Sequence, residues 1–176
     1  EHCGKEGAFI TKATAQLMRD FGCVQSPINA YMLNLGLESL HVRMARHCEN
    51  GQAVAEFLAS HPKIAYVNYC GLPGDKYHAV AEKYLPNGSC GVVSFGVKGG
   101  REAAAAFMGH LKIAAIETHV ADARTCCLHP ASSTHRQMND EQLIAAGVQP
   151  DLVRMSCGLE DKNDLIHDIA QALDQI

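Results

Sequence analysis

Apolar side chains in the first third of the chain recur in steps of three and four. Over Ile10–Phe21 (ITKATAQLMRDF) that spacing predicts a helix, with Gly22 placed to cap it. Residues 1–8 are polar and Gly-rich and predict no stable element. Ser26-Pro27 suits a helix start, because proline's fixed φ and missing N–H are tolerated in a first turn. From Asn29 to Ser60 the helical step passes through Leu33, Leu37, Leu40, Met44, Cys48, Gly51, Ala55 and Leu58. This predicts one long amphipathic helix, or two joined near Gly36, with Glu38, Arg43, Arg46, His47 and Glu49 on the polar face.

After His61-Pro62 the pattern shortens and alternates. Strands are predicted at Lys63–Tyr69, Cys90–Val97, Ile113–Val120 and Leu152–Cys157, with an extended piece at 123–128. Helices are predicted at Tyr77–Tyr84, at Arg101–Leu111, from Asn139 to a stop at Gly147, and at Glu160–Gln175. In the last of these, Leu165, Ile166, Ile169 and Leu173 share one face, and acids fill the first turn, where the helix dipole favours them. The pattern predicts a sheet of three to four strands with helices packed on it, preceded by a long bridging helix.

With 176 residues, 47% of them hydrophobic, the chain can bury a proper core in about one domain. A net charge of −4 with dispersed basic residues argues against nucleic acid and anionic membrane surfaces as partners. No apolar run is long enough to span a bilayer, and EHCGKEG lacks the layout of a secretory signal. These features predict a cytoplasmic protein. Its eight cysteines form no C-x2-C pair, and most lie in apolar runs, where a free thiol packs as a small hydrophobe. Cys126-Cys127 would point to opposite faces of a strand. The ten histidines lack zinc-site spacing, so neither metal nor Cys-His catalysis is indicated.

Two stretches carry chemistry. Arg154 interrupts the apolar run LVRMSCG, and an arginine cannot shed its charge when buried. It needs either an Asp or Glu partner at a strand end or a bound anion, such as a substrate carboxylate gripped by two parallel hydrogen bonds. The loop HPASSTH (129–135) concentrates two histidines and three hydroxyls where little core can form. Such loops hold a ligand, or else satisfy only their own backbone. Lys12, in FITKA, looks a little like a Schiff-base site but falls among charged residues on the first helix and reads as surface.

The segments GLESLHVRMARH, GVVSFGVKGG, HPASSTH, VRMSCGLED and DLIHDIAQAL, in this order, resemble the C-terminal part of the cysteine/methionine-metabolism family of pyridoxal-phosphate enzymes. The run HVADARTCCLHPASSTHRQ looks most like the O-acetylhomoserine sulfhydrylases of that family. The resemblance implies the α/β small domain of an aspartate-aminotransferase-like (fold type I) enzyme. That domain has a small, mainly antiparallel sheet with helices on one face and a long connecting helix before it. It implies residues 1–35 as a remnant of the large cofactor domain, 36–60 as the connecting helix and 61–176 as the C-terminal domain. It assigns Arg154 to the substrate α-carboxylate, places His119 near that carboxylate where lyases usually carry serine, and has Thr134 help position the arginine. Cys157 stands where valine is usual.

No S-x-T-K lysine, Gly-rich phosphate segment or cofactor-stacking tyrosine can be assigned. The chain is therefore expected to be a fragment, unable alone to bind pyridoxal 5'-phosphate covalently or turn over substrate. The whole enzyme would take O-acetylhomoserine and sulfide or a small thiol to homocysteine, as a cytoplasmic homotetramer. Alternatives are a methionine or cystathionine γ-lyase of the same family, and a non-catalytic binding or assembly domain of this fold. Alone, the fragment would expose the apolar face of its long helix.

Overall fold

The computed structural model describes residues 4–176, and they fall into two compact units that divide after His41. In the first, α1 (Gly4–Thr11), a π-helical turn (Lys12–Met18) and α2 (Arg19–Phe21) follow one another without a break. They end at Gly22, whose φ of 66° is the left-handed conformation glycine adopts freely. The helix thus begins at Gly4, earlier than the polar character of residues 1–8 predicts, because Lys5, Glu6 and Ala8 are good helix formers. The first three positions lie outside the described residues. Helix α3 (Pro27–Glu38) starts as expected, with Pro27 in its first turn and the Ser26 hydroxyl accepting from the Asn29 N–H at 3.3 Å.

The long helix is two helices. The break falls at Ser39 (φ −103°, ψ 1°) and not near Gly36, which stays helical. A serine's hydroxyl competes with the helical backbone, whereas a glycine tolerates a break without requiring one. Leu33 and Leu37 on α3 are exposed.

Helix α4 (Leu40–Ser60), which belongs to the second unit from Val42 onward, buries His47, Asn50, Gly51, Val54, Ala55 and Leu58. Gly51, Ala55 and Leu58 lie inside as predicted, but the buried face is rotated toward His47, Asn50 and Val54, so His47 belongs to the interior rather than to the charged side. The rotation follows from polar ties to the chain after Ser156. His47 Nδ1 lies 2.7 Å from the Cys157 carbonyl, so that nitrogen carries the proton. The Asn50 amide donates to the carbonyls of Gly158 and Glu160 at 2.9 and 2.8 Å.

Among the described residues, β1 (Ile64–Asn68), β2 (Val92–Val97), β3 (Ala115–Ile116), β4 (Cys126–Leu128) and β5 (Leu152–Ser156) form one sheet in the order β1-β2-β5-β4-β3. Its pairs are antiparallel except β3 with β4, which is parallel. Five strands replace the predicted three to four, because the extended piece 123–128 contributes β4. The expected strand Ile113–Val120 shrinks to two residues, and its late start has a specific reason. The buried Asp168 carboxylate, on α8 (Lys162–Asp174), takes the N–H groups of Lys112, Ile113 and Ala114 at 2.8, 2.8 and 3.1 Å. Those donors are then lost to a ladder.

Alternation along β5 sends Val153, Met155 and Cys157 into the core, where they meet Phe95 and Val97 of β2, Val54 and Leu58 of α4, and Leu165, Ile169 and Leu173 of α8. Helix α6 (Gly100–His110) adds Phe107, packed edge-on to Phe95 at 5.8 Å between centroids. Arg154 therefore points from the sheet face away from this core. Two short helices complete the unit: α5 (His78–Tyr84), and α7 (Asp140–Ala145), which Asn139 and Gln142 cap reciprocally.

Asp168→Ala should lower the unfolding free energy of the chain by about 3 kcal/mol, since three N–H groups lose an ionised acceptor in a buried setting. Urea unfolding of the two proteins checks this, and a loss below about 1 kcal/mol would contradict the anchoring role.

Candidate substrate-carboxylate site

Register places Arg154 at the centre of the sheet, opposite Ser94 of β2 and Leu128 of β4. Its Nη2 donates to the Thr118 carbonyl at 2.8 Å. Its Nε is buried and has no hydrogen-bond partner, and among the described residues no carboxylate lies within ion-pair distance of the guanidinium. The Asp or Glu partner that a purely structural arginine would need is thus absent from the described residues. The guanidinium instead borders an open cavity of about 490 Å³, whose wall includes Ser94, Thr118, Pro130, Thr134 and His135. A permanently charged group that borders a cavity and keeps one buried N–H without a partner can receive a planar anion.

Of the three residues assigned by resemblance, the structure brings two to this cavity. Thr134 lies on its wall, but its hydroxyl meets His135 Nδ1 at 2.9 Å and not the arginine. His119 lies elsewhere: Nδ1 is 3.1 Å from Glu117 and 3.6 Å from Asp122, with its side chain largely exposed. Sequence reasoning missed Ser94 and Thr118, and offered His135 only as one of the two histidines of the HPASSTH loop. Ser94 was open to discovery, since pairing VVSFG with LVRMS in antiparallel register sets the serine beside Arg154. The Thr118 contact is made by a backbone carbonyl, so no side-chain pattern announces it.

The approach of residues 118–124 to the site is held under mild strain. Ala121 adopts φ 60°, unusual without glycine, while its N–H donates to Ser156 Oγ at 2.9 Å. The following turn is tied by Glu160, which accepts from both the N–H and the hydroxyl of Thr125 at 2.6 and 2.8 Å. That hydroxyl in turn accepts from the Gly158 N–H at 2.8 Å. A Cβ at Gly158 would meet the Ala123 carbonyl at 2.4 Å, so the close approach needs glycine. In the GLED segment, then, Gly158 and Glu160 brace the strand end, and Asp161 caps α8 through the Asn163 N–H.

The HPASSTH loop does more packing than its composition predicts. His129, Pro130 and Ala131 are buried, and Pro130–Ser132 forms one 3-10 turn. His129 Nε2 donates to the Pro150 carbonyl at 2.9 Å, and Nδ1 meets the Ser132 hydroxyl at 2.9 Å. Ser133 donates to the His129 carbonyl at 2.6 Å. The hydroxyls at 132 and 133 therefore satisfy the loop itself, and its outer part, Thr134-His135, is what reaches the cavity.

Among the described residues no cluster of three or more His, Cys, Asp or Glu is arranged to hold a metal ion, and no helix is long and apolar enough to cross a membrane. The cavity wall offers a guanidinium, hydroxyls and an imidazole but, among the described residues, no lysine amine. That lining presents donors to an anion and no amine to hold an aldehyde cofactor covalently.

The Cys/Met metabolism PLP-dependent enzyme family matches residues 3–174. O-acetyl-L-homoserine sulfhydrylase of Leptospira meyeri is 45% identical over 96% of this chain and 38% of its own length. Homocysteine synthase of Schizosaccharomyces pombe is 42% identical over 95% of this chain and 39% of its own. A crystal structure from Campylobacter jejuni that holds N'-pyridoxyl-lysine-5'-monophosphate superposes with a TM-score of 0.85 at 37% identity, covering 95% of this chain and 40% of that one. The chain belongs to the Cys/Met metabolism family of pyridoxal-phosphate-dependent enzymes, with the C-terminal-domain fold that the resemblance implies. It spans 38–40% of the length of these relatives.

Burial holds His129 below the ordinary histidine value, and the Arg101 charge acts in the same direction. The unfolded chain, with its ring near 6.5, takes up this proton first as pH falls. Stability from a neutral His129 is therefore complete above about pH 7 and is lost as pH drops from about 6.5 toward the lower folded value. His129→Asn should shrink the difference between urea midpoints at pH 7.5 and pH 5.5 relative to the unaltered chain. An equal difference in both proteins would show that His129 does not titrate this way.

Proposed function

We propose that this chain supplies the substrate-carboxylate half of the active site of an O-acetylhomoserine sulfhydrylase, which replaces acetate by sulfide at the γ-carbon to give homocysteine. The observation that carries the reading is the Arg154 guanidinium, which keeps a buried, unpartnered Nε beside an open cavity. The similarity to the sulfhydrylase of Leptospira meyeri and the homocysteine synthase of Schizosaccharomyces pombe supports the choice of substrate. In the whole protein pyridoxal 5'-phosphate supplies the electron-withdrawing capacity that the chemistry at the substrate's carbon chain requires. The residues of this chain bind and orient. Arg154 grips the α-carboxylate through its fork, Thr118 fixes the guanidinium plane from behind, and the Thr134-His135 wall bounds the cavity. Holding the carboxylate at one end sets the direction of the bonds at Cα, which lowers the entropy lost on reaching the reactive geometry. His119, paired with Glu117 and Asp122, serves the turn leading to Thr118 through its backbone and not through a ring directed at substrate.

In this reading residues 1–35 belong with the large cofactor-binding domain, 36–60 connect, and 61–176 form the small domain. The protein acts in the cytoplasm as a homo-oligomer. The exposed Phe9, Phe21, Ile28, Tyr31, Leu33 and Leu37 support association, since such apolar surface is costly to leave in water.

The test uses the full-length protein carrying this chain. With O-acetyl-L-homoserine and sulfide it should release homocysteine, and Arg154→Met should raise KM for the amino acid by about 100-fold, roughly 2.7 kcal/mol of carboxylate binding. Release of methanethiol and α-ketobutyrate from methionine, with no homocysteine formed, overturns the sulfhydrylase assignment. An unchanged KM in Arg154→Met overturns the carboxylate role.

A further inference from the structure

Arg101 stands where a cation is electrostatically disfavoured. Gly99 (φ 106°) and Gly100 (φ 74°) turn the chain into α6 and leave Arg101 in its first turn, at the positive end of the helix dipole. Its compensation lies outside the helix. Nη1 donates to the Ala131 carbonyl at 2.6 Å and Nη2 to the Met138 carbonyl at 3.4 Å. Nε donates to Asp140 Oδ1 at 2.9 Å, and Nη2 shares that oxygen. These acceptors bracket Thr134 and His135, the two residues of the loop's outer part that line the Arg154 cavity.

Little else fixes that stretch. No side chain from 132 to 139 is buried, so apolar packing does not set its position. Its internal bonds, such as His135 N–H to the Pro130 carbonyl and Met138 N–H to the His135 carbonyl, both 2.9 Å, shape the loop without attaching it to the sheet-and-helix body. Beside the His129 ring, which links Ser132 Oγ to the Pro150 carbonyl, Arg101 attaches the loop, reaching both its ends from one rigid helix, and it is not itself on the cavity wall.

We propose that Arg101 is a positioning residue for the amino-acid substrate: its guanidinium fixes the 130–140 loop so that Thr134 and His135 form the wall facing Arg154. The proposal rests on the carboxylate reading of that cavity. Lysine cannot take the place of Arg101, because one ammonium on a flexible stem does not present the planar fork that serves three acceptors at once.

The experiment compares Arg101→Lys, Asp140→Asn and Arg154→Met in the full-length enzyme, measuring kcat and KM for O-acetyl-L-homoserine. Arg101→Lys should raise KM at least tenfold while kcat changes less than about threefold. A merely structural role would lower the folded fraction, and with it the apparent kcat, leaving KM in place. Asp140→Asn, which keeps the guanidinium on both carbonyls, should raise KM by about threefold, and it carries the test if the Arg101 variant does not fold. An unchanged KM in the folded variants, with a raised KM in Arg154→Met, overturns the positioning role alone. An unchanged KM in Arg154→Met overturns the carboxylate reading instead. Hydrogen exchange on the full-length enzyme gives a readout independent of turnover. Amides 132–138 should exchange at least tenfold faster in Arg101→Lys, with β2 and β5 unaltered, and equal rates also overturn the proposal.

Discussion

A permanent charge on the face of a sheet, with a buried donor and no carboxylate partner in the described chain, is the constraint around which this fold is arranged. Arg154 cannot discharge by losing a proton, so the structure must hold it in place and leave its remaining donor for something else. The core does the holding. Val153 and Met155, its neighbours on either side, are fully buried, which locks the strand and with it the direction of the arginine. The Thr118 carbonyl then fixes the guanidinium through Nη2, beside the cavity that Arg154 borders.

That carbonyl is available because of a competition settled some distance away. Asp168 captures the N–H groups of residues 112–114 and so fixes where the chain enters β3, four residues before the Thr118 carbonyl. Glu160, Thr125 and Gly158 then fasten the returning turn against the end of β5. Polar groups with no direct contact to the cavity therefore decide where its backbone wall runs. Such networks act as units, because each member left unsatisfied in a buried setting costs as much as the bond it made.

The sequence made the helices and the central strands legible because they follow simple periods. The caps at Ser26 and Asn139, the stop at Gly22 and the face of α8 all stand where residue chemistry places them. Arg154 was legible as a charge out of place in an apolar run. What the sequence hid depends on contacts between distant segments. The start of β3 was set by a carboxylate more than fifty residues away, and the inward turn of His47 by the carbonyl of Cys157. The outer loop was misjudged for a related reason. His129 reads as polar but finds two partners inside, which offset the cost of burying its ring. His119 could not have been placed by pattern at all, since its direction follows from two acidic neighbours in an irregular turn.

The alternation of β5 has a consequence for errors of folding. Because side chains change faces at every residue, a slip of one position in the pairing of β5 with β2 and β4 would turn Met155 outward and drive Arg154 into the hydrophobic interior. Such a species would carry an uncompensated charge in its core and would not persist as a compact state. A chain with a misregistered site is thus removed as an unfolded chain and does not accumulate as a folded, inactive one. The core acts as a proofreader for the direction of the single guanidinium.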